Sequence, residues 1–591
     1  MDTAALTKNR FAVLARLAAE GPCSQRSLAG ATGLSLGSVN GALRDLRAEG
    51  LVDGAGVATE LAYEALAPYK VQNAVIMAAG MSSRFAPLSY ERPKGVLKVR
   101  GEVLIERQIR QLQAAGINDI IVVVGYMKEQ FFYLEDKFGC RIVVNEEYDV
   151  RNNNSTLMLV REDLGNTYIC SSDNYFTQNV FEPYVYQAYY AATFFAGPTE
   201  EYLLETGAGN RITAVRVGGS DAYGMLGHAY FDREFSQRFC DILVREYDKP
   251  ETAPLLWEDI FAAHVGELPM AMRPYEDGVV WEFDSLDELQ AFDDAFVENV
   301  DSSILDNICA TLDCQRADIR GIKPINRGLS NLSFRFSVGD SLYVYRHPGR
   351  GSEAIIDRRA ETFSQEVAYR LGLDDTYLYE DPASGWKISR YLPDCTELDY
   401  NDRDQVKEAL RMVRTLHECG IESQFTFDLF EKTQRMLQLL DERHRGSFPD
   451  FEPLNRSITE LAEHLRAEGA PRCLCHNDFY DTNLLVAGGK MHLIDWEYSG
   501  MSDYASDLGT FICCSRYGFG EAMEVLREYF QREPTQQELA HCLAYTALAS
   551  YHWFIWALYK DANGAPVGEW LYLWYKAAKL YSRKAAELIG R

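Results

Sequence analysis

Three side chains in the C-terminal half of the sequence are of the types and spacing needed for phosphoryl transfer. Asp478 and Asn483 precede one apolar run and Asp495 follows a second, with Gly488 and Gly489 between the runs. This pattern predicts a hairpin that brings the three groups to one end. One carboxylate would accept the proton of an attacking hydroxyl, while the amide oxygen and the other carboxylate would hold Mg²⁺ against phosphates. An acidic turn without chemistry is the alternative, but D-x4-N followed by I-D-W favours kinase chemistry.

The stretch Leu474–Tyr498 resembles the aminoglycoside phosphotransferase and choline kinase superfamily, whose motif H-x-D-x4-N precedes a metal-binding Asp. The resemblance implies a protein-kinase-like fold. Asp478 would then be the proton acceptor, and Asn483 and Asp495 would bind Mg²⁺. Asp503 and Asp507 match the end of the family motif and are expected to brace the catalytic loop.

The segment before this motif is predicted as strand, loop and strand, and its loop resembles the G-x-(S/T)-N loop of choline kinases. The segments 345–351 and 356–359 resemble the LicA-type bacterial choline kinases. The resemblance places ATP against Gly328, Ser330, Asn331 and Arg346. Arg346 occupies the place of the strand Lys of protein kinases. Glu361, on the next helix, is its expected partner, with Glu366 as the alternative. A charged surface helix without this role is the other interpretation.

A predicted helix near the C-terminus carries Trp553 and Trp556, which share one face because they lie three residues apart. In choline kinases a Trp-x-x-Trp pair at this place encloses the trimethylammonium group. The resemblance therefore implies a cation site, with Glu497 and Tyr498 completing it. A tryptophan stripe on a buried helix is the structural alternative. Weaker candidates for the same site are Tyr572, Trp574 and Tyr575.

A second phosphate site is predicted after the buried strand Asn73–Met77. A glycine-containing turn that follows a first strand presents backbone N–H groups to phosphate. The turn and the later P-K pair resemble the A-A-G-x-(G/S)-(S/T)-R…P-K signature of nucleotidyltransferases, in which the Arg and Lys bind the triphosphate. An ordinary strand-turn-helix is the alternative. The implied nucleotide-binding residues are Ala78, Ala79, Gly80, Met81, Ser82, Ser83, Arg84 and Lys94.

Two carboxylates at predicted strand ends, Asp173 and Asp284, would hold Mg²⁺ between the nucleotide and the attacking phosphate. The sequence segments around Asp173 and Asp284 occur in the same order as the corresponding segments of CTP:phosphocholine cytidylyltransferases, which they resemble. A quaternary ammonium group favours aromatic faces and a carboxylate. The family has Trp at the position of Tyr202 and Asp at the position of Glu258. These differences leave the identity of the substrate alcohol undecided. The implied substrate-binding residues are Asn154, Tyr202, Trp257, Glu258 and Glu282.

The N-terminal segment is predicted as helix, turn, helix and strand, which resembles the winged helix of MarR-type regulators. It contains seven basic and seven acidic residues through Lys70. Without a net positive charge, docking or dimerisation is as good an interpretation as DNA binding. The residues that would face a groove are Ser35, Ser38, Asn40, Arg44 and Arg47.

Length and composition limit the class of protein to which these sites can belong. The chain has 591 residues, 47% apolar and 25% charged, and a formal charge of −28, which argues against nucleic acid as the main partner of the whole chain. No apolar run reaches the length of a membrane span, so a cytoplasmic protein without membrane contact is expected. Thirteen scattered cysteines without a C-x-x-C pair predict buried free thiols rather than disulfides or zinc.

The sequence therefore predicts a multidomain α/β and α+β chain: a winged helix-turn-helix at 1–70, a Rossmann-like nucleotidyltransferase at 71–302 and a kinase-like phosphotransferase at 303–591. The expected function is CDP-choline synthesis from choline, ATP and CTP through phosphocholine, with Mg²⁺ at both sites, for decoration of cell-surface polymers. Alternatives are ethanolamine or another amino alcohol, a sugar nucleotidyltransferase fused to a small-molecule kinase, and a transcription regulator that senses CDP-choline. A homo-oligomer is compatible with this interpretation.

Overall fold

A computed structural model describes residues 6–283, 285–325, 331–349, 356–440, 445, 448–562 and 567–590. The chain separates into two compact units, Met1–Asn307 and Ile308–Arg591. The domain boundaries expected at residues 70 and 302 stay predictions. No helix within the described ranges is both long and apolar enough to cross a bilayer.

The chain begins with the helix-turn-helix that the sequence predicts. Ser24 and Ser35 cap the second and third helices, because each hydroxyl accepts a hydrogen bond at 3.1 Å from the backbone N–H of Ser27 or Ser38. A bridge between Val52 and Ala58 forms the short wing. The four helices are Lys8–Glu20, Gln25–Thr32, Leu36–Ala48 and Glu60–Leu66.

The winged helix packs on the nucleotidyltransferase domain through aromatic rings. Phe11 lies 4.9 Å from Tyr69 and 5.3 Å from Tyr186 between ring centroids. The connecting segment also bonds to the second domain through its backbone: Val185 N donates to Tyr69 O at 2.9 Å, and Asn166 Nδ2 donates to Pro68 O at 2.8 Å.

The helix Leu36–Ala48 exposes to solvent the side that was predicted to face a DNA groove. Asn40, Arg44 and Arg47 are exposed, but Arg44 already pairs with Asp45 at 3.1 Å. DNA binding by this module stays a prediction.

The nucleotidyltransferase domain is built on a seven-stranded sheet of order β10-β8-β9-β6-β1-β4-β5, in which β1 runs parallel to both β4 and β6. Parallel strands buried on both faces bring their carboxyl ends, where ligands bind, to one edge. The strands are β1 Asn73–Ala78, β2 Lys98–Val99, β3 Glu102–Val103, β4 Ile120–Val124, β5 Arg141–Val144, β6 Thr167–Ser171, β7 Asn174–Phe176, β8 Tyr189–Thr206, β9 Ile212–Phe231, β10 Ala271–Pro274 and β11 Val280–Glu282. The helices are Leu88–Glu91, Leu104–Ala114, Tyr133–Phe138, Asn154–Leu159, Arg233–Glu246, Trp257–Ala263, Leu286–Phe292, Phe296–Asn299 and Ser303–Leu312.

The second unit has the kinase-like order of a five-stranded antiparallel sheet, β12-β13-β14-β16-β15, followed by a largely helical part. The strands are β12 Ile319–Ile325, β13 Asn331–Val338, β14 Ser341–Pro348, β15 Tyr377–Glu380, β16 Lys387–Arg390, β17 Thr396–Glu397, β18 Cys473–Cys475, β19 Leu484–Ala487, β20 Lys490–Leu493 and β21 Gly500–Ser502. The helices are Arg358–Arg370, Arg403–His417, Leu429–Leu439, Phe451–Glu468, Tyr504–Cys514, Phe519–Phe530, Gln536–Ala562 and Trp570–Ile589.

The hairpin predicted around Gly488 and Gly489 is confirmed. β19 and β20 pair antiparallel from Leu484 opposite Leu493 to Ala487 opposite Lys490. Both glycines have positive φ, 57° and 78°, as the tight turn requires.

Candidate active sites

The loop after β1 lines a cleft at the carboxyl edge of the large sheet. A cavity of about 190 Å³ is bounded by Ala78, Ala79, Gly80, Ser82 and Lys94. A second opening of about 570 Å³ shares part of this lining and adds Met81, Ser83 and Arg84. All eight residues predicted to bind the nucleotide therefore line the cleft, and their contact with a triphosphate stays a prediction.

Lys94 and Asp173 form a buried ion pair in this cleft, with 2.8 Å between Nζ and Oδ2. Burial alone would raise the pKa of the Asp173 carboxyl, but the Lys94 charge holds it below its ordinary value. An ionised carboxylate at this strand edge is a suitable Mg²⁺ ligand. Asp284, its predicted partner, lies outside the described residues.

A further cation, Arg151, lines both parts of the cleft. Its guanidinium stacks on the Tyr247 ring at 3.9 Å, and its buried Nη1 makes no hydrogen bond within the described part of the chain. This donor faces a region where phosphates are expected. No sequence motif pointed to Arg151, because it lies outside the nucleotidyltransferase signature.

A larger cavity of about 870 Å³ is lined by aromatic and acidic side chains that include Tyr202, Glu258 and Glu282. Glu258 accepts hydrogen bonds from Tyr190 Oη at 3.1 Å and from Asn153 Nδ2 at 3.2 Å. Burial raises the pKa of Glu258 to about 7. The cavity therefore combines rings with a carboxylate that changes charge near neutral pH.

Three other residues predicted for this pocket also line the cavity, and each has its own contacts. Tyr202 Oη donates to Asp259 at 2.7 Å, and Glu282 accepts from Asn174 Nδ2 at 3.0 Å. Trp257 is only 1% exposed and stacks beneath Tyr190, with 5.6 Å between ring centroids, so it supports the pocket wall.

Asn154 is fully buried, and its amide donates to Thr252 O at 3.0 Å. Asn154 thus holds the neighbouring loop, whereas Asn153 reaches Glu258. The sequence singled out Trp257 and missed Tyr190, which carries no motif of its own.

In the second unit, the catalytic loop begins where β18 ends. The buried Asp507 carboxylate accepts the backbone N–H of His476 at 2.9 Å and of Asn477 at 2.5 Å. Asn477 has a positive φ of 65°, which turns the chain toward Asp478. Asp507 thus makes the bracing contacts expected of it, while Asp503 caps the helix Tyr504–Cys514 through the N–H of Ala505.

Asp478, Asn483 and Asp495 lie at the hairpin end as the spacing predicts. Asn483 Nδ2 donates to Asp478 Oδ2 at 2.9 Å, and the buried Asp478 Oδ1 accepts no hydrogen bond within the described ranges. Burial, and next the charge of Asp495, raises the pKa of Asp478. Asp495 Oδ1 lies 3.6 Å from Arg346 Nη1. Two carboxylates and an amide oxygen suit Mg²⁺, and a cation between them would relieve their repulsion.

Arg346 is buried between acidic groups. It forms an ion pair with Glu361 and a second one with Glu380 at 3.0 Å. Burial would raise the pKa of Glu361, but Arg346, Lys387 and Arg358 together lower it. Glu366, the alternative partner, instead faces Arg370 at the surface, 3.5 Å away. Gly328 and Ser330 lie outside the described residues.

The aromatic residues on the helix Gln536–Ala562 form a cluster. Trp553 and Trp556 lie 5.5 Å apart at 77°, and Trp574 lies 5.5 Å from Trp553. Tyr480, two residues beyond Asp478, lies 5.8 Å from Trp553 and joins the cluster to the catalytic loop. Both Trp553 and Trp556 are partly exposed. One face of Trp553 stacks on Trp574, and Lys560 Nζ lies 5.7 Å from the centroid of the Trp556 ring.

Glu497 and Tyr498, the other residues expected at the cation site, make contacts with neighbouring elements, and their part in cation binding stays a prediction. Glu497 accepts a hydrogen bond from Asn331 Nδ2 at 3.2 Å, and the Tyr498 ring packs edge-on to Phe427 at 6.2 Å. Glu497 is thus joined to the strand after the expected ATP loop. Tyr480 is the aromatic residue that connects the tryptophan cluster to the catalytic loop. The sequence analysis had not identified it.

Comparison with known proteins assigns a family to each region. A winged helix-turn-helix DNA-binding model matches residues 6–53, a MobA-like NTP transferase domain matches 74–182, and the phosphotransferase enzyme family matches 321–542.

Three relatives cover the two larger regions. The 2-aminoethylphosphonate cytidylyltransferase of Lancefieldella rimae is 36% identical over 229 residues, or 38% of this chain and 93% of that protein. The choline-phosphate cytidylyltransferase of Streptococcus pneumoniae is 31% identical over 221 residues, or 37% and 96%. Protein LicA of Haemophilus influenzae is 23% identical over 263 residues, or 41% and 94%.

The fold and the two acidic sites define a nucleotidyltransferase joined in one chain to a phosphotransferase of the kinase-like fold, behind a winged helix. Through its middle domain the chain belongs to the nucleotidyltransferase family that includes the two cytidylyltransferases named above.

Proposed function

We propose that this chain makes CDP-choline in two consecutive steps: ATP-dependent phosphorylation of choline in the C-terminal domain, then transfer of CMP from CTP to phosphocholine in the middle domain. The observation that supports the proposal is that aromatic side chains lie near each expected phosphate site, in a cavity of the middle domain and in a ring cluster beside the catalytic loop. Tyr190 and Tyr202 with Glu258 line the cavity, and Trp553 and Trp556 belong to the cluster. Two such aromatic groups in one chain favour a shared ammonium alcohol.

In the first step, the hydroxyl of choline loses its proton to Asp478 as its oxygen attacks the γ-phosphorus of ATP, and ADP leaves. Asn483 holds the Asp478 carboxylate by the 2.9 Å hydrogen bond, so the free Oδ1 faces the attacking group. Asn483 and Asp495 would hold Mg²⁺, which neutralises the phosphate charge. Arg346, fixed by Glu361, would bind ATP phosphates.

In the second step, a phosphate oxygen of phosphocholine attacks the α-phosphorus of CTP, and pyrophosphate leaves. Lys94 and Arg84 would stabilise the charge that develops on the triphosphate. Asp173 and Asp284 would hold Mg²⁺ between the nucleotide and the attacking phosphate. The Glu258 carboxylate would face the ammonium group at the far end of the substrate.

A second candidate is CMP transfer to a primary ammonium compound, either ethanolamine phosphate or 2-aminoethylphosphonate. The relative of 36% identity carries the name of the latter activity. Glu258 and Asp259, two acidic hydrogen-bond acceptors in or beside the pocket, would suit N–H donors. In this case the C–P bond of a phosphonate would make prior phosphorylation unnecessary.

One experiment separates these functions. The full chain is incubated with Mg²⁺, CTP and either choline, ethanolamine, 2-aminoethylphosphonate or a panel of sugar phosphates, with and without ATP, and the products are identified by mass spectrometry. CDP-choline formed only when ATP is present supports the proposal. A CMP conjugate of the phosphonate formed without ATP supports the second candidate, and a nucleotide sugar formed from added sugar phosphates would refute both.

The remaining expectations are proposals of the same kind. Cytoplasmic location and a DNA or docking partner for the winged helix are predicted by sequence alone. A regulator with inactive enzyme domains is the competing class, and any turnover in the assay above would exclude it.

A further inference from the structure

A cluster of potential metal ligands lies beneath the catalytic loop of the second unit, apart from the two predicted Mg²⁺ sites. His417 ends the helix Arg403–His417, and Cys473 and Cys475 lie on β18. One ligand atom from each of the three lies within 4.8 Å of the others. Residues two apart on a strand face the same side, so the C-x-C spacing directs both thiols toward His417.

The spacing of the two sulfur atoms suits a tetrahedral metal. Cys473 Sγ and Cys475 Sγ lie 3.6 Å apart. Two thiolates at Zn–S distances of about 2.3 Å in a tetrahedral site would stand roughly 3.8 Å apart. The Cys475 side chain is fully buried, the His417 ring is 3% exposed and Cys473 is partly exposed, so most of the cluster is shielded from solvent.

The imidazole of His417 already has the outer partner that metal-ligating histidines require. Its Nε2 contacts Asp507 Oδ2 at 2.9 Å, and its Nδ1 contacts Tyr529 Oη at 2.8 Å. A carboxylate on one ring nitrogen fixes the tautomer and directs the other nitrogen to a metal. Ligation through Nδ1 would keep the Asp507 contact and leave Tyr529 Oη beside the metal.

We propose that His417, Cys473 and Cys475 bind a thiophilic divalent cation of the zinc class, with an oxygen as the fourth ligand. The site joins two elements that adjoin the catalytic loop. Its outer carboxylate, Asp507, also accepts the N–H groups of His476 and Asn477. The metal therefore acts as a positioning group for the loop that carries Asp478 and takes no part in phosphoryl transfer. The proposal is independent of which alcohol the chain phosphorylates.

The test uses Co²⁺ as a spectroscopic substitute for zinc in the full chain, reduced and stripped by dialysis against a chelator. We expect a thiolate-to-cobalt absorption band that saturates at about one Co²⁺ per chain beyond any cobalt held at the two predicted Mg²⁺ sites, and that added Zn²⁺ abolishes. Cys473→Ser should lose the band, because one of two sulfur ligands is removed. Cys513→Ser is the matched control and should keep it: Cys513 is also buried beside a second cysteine, Cys514, but lies on a helix.

A second measurement guards against misfolding of the variant. On the wild-type chain, an organomercurial that caps thiols should release zinc to a chelating dye. Stripped wild-type protein returned to Mg²⁺ should lose phosphotransferase kcat by roughly tenfold and regain it with zinc. CMP transfer in the same chain should be unchanged. Absence of the thiolate band in the wild type, or an equal band in Cys473→Ser, would overturn the proposal.

Discussion

The ion pair between Lys94 and Asp173 depends on the absence of a side chain at Gly95. A Cβ placed on Gly95 would lie 2.9 Å from both Cβ and Oγ of Ser172, whereas ordinary contacts begin at 3.4 Å. Gly95→Ala must therefore displace the segment that carries Lys94, or the segment Ser172–Asp173, by about 0.5 Å. Because both segments meet in the ion pair, this shift changes the distance between Lys94 and Asp173 directly.

The expected loss can be estimated from this displacement. A misplacement of 1 Å in a reacting constellation costs about hundredfold in rate. Half of that displacement corresponds to a loss of about tenfold in kcat for CMP transfer, or about 1.4 kcal/mol. Phosphorylation by the C-terminal domain should be unchanged in the same preparation, which provides an internal control.

The assay is pyrophosphate release with CTP and phosphocholine, measured for four proteins. Gly95→Ala should be slow, and Gly95→Ala combined with Ser172→Gly should recover most of the rate, because the second change removes the two closest atoms. Gly266→Ala is the matched control, since a Cβ there meets nothing within 4 Å. Wild-type rates for Gly95→Ala would refute the geometric reasoning. A double variant as slow as the single one would show that crowding by Ser172 is not the cause.

Three further predictions concern the proposed substrates and use steady-state kinetics. Asp478→Asn should abolish choline phosphorylation, because the hydroxyl loses its proton acceptor, and spare CMP transfer. Trp553→Ala or Trp556→Ala should raise the choline KM by roughly tenfold or more, since each desolvated cation–π contact contributes about 2 kcal/mol, while the ATP KM stays unchanged. The phosphocholine KM should fall as pH rises through about 7, the pKa of Glu258, because the ionised form binds the ammonium group; Glu258→Gln should remove this dependence.

Each of these predictions has an outcome that contradicts it. Loss of both activities in Asp478→Asn would show that the two domains do not act independently. Tryptophan variants that keep wild-type kinetics but unfold at lower temperature would make the pair a packing stripe. A pH profile that persists in Glu258→Gln would refute the assignment of this pH dependence to Glu258.

The sequence predicted the parts of the fold that short motifs control. The hairpin around Gly488 and the placing of Asp478 and Asn483 follow from local spacing, because turn residues and alternating runs act over a few positions. The winged helix was predicted from its order of helix, turn, helix and strand, which is also local, and Ser24 and Ser35 cap its second and third helices. Glu361 was named from its place in the family motif and pairs with Arg346.

Side-chain direction within the pockets could not be read from the sequence. Tyr190 and Tyr480 reach the two pockets from elements fixed by long-range packing, and neither carries a motif. Asn153 and Asn154 are adjacent, and only the turn before the helix Asn154–Leu159 decides which one faces Glu258. Likewise His417 is far from Cys473 in the sequence, so the thiols were predicted to have no ligand partner.

The attachment of the winged helix limits how the chain can be divided. Residues just before 71 supply backbone carbonyls to Val185 and Asn166, and Phe11 and Tyr69 cover Tyr186. Proteolysis or truncation at this junction would leave the hydrogen-bond donors of Val185 and Asn166 unpaired and would expose the Tyr186 ring to solvent. The winged helix therefore shields one surface of the nucleotidyltransferase domain from solvent.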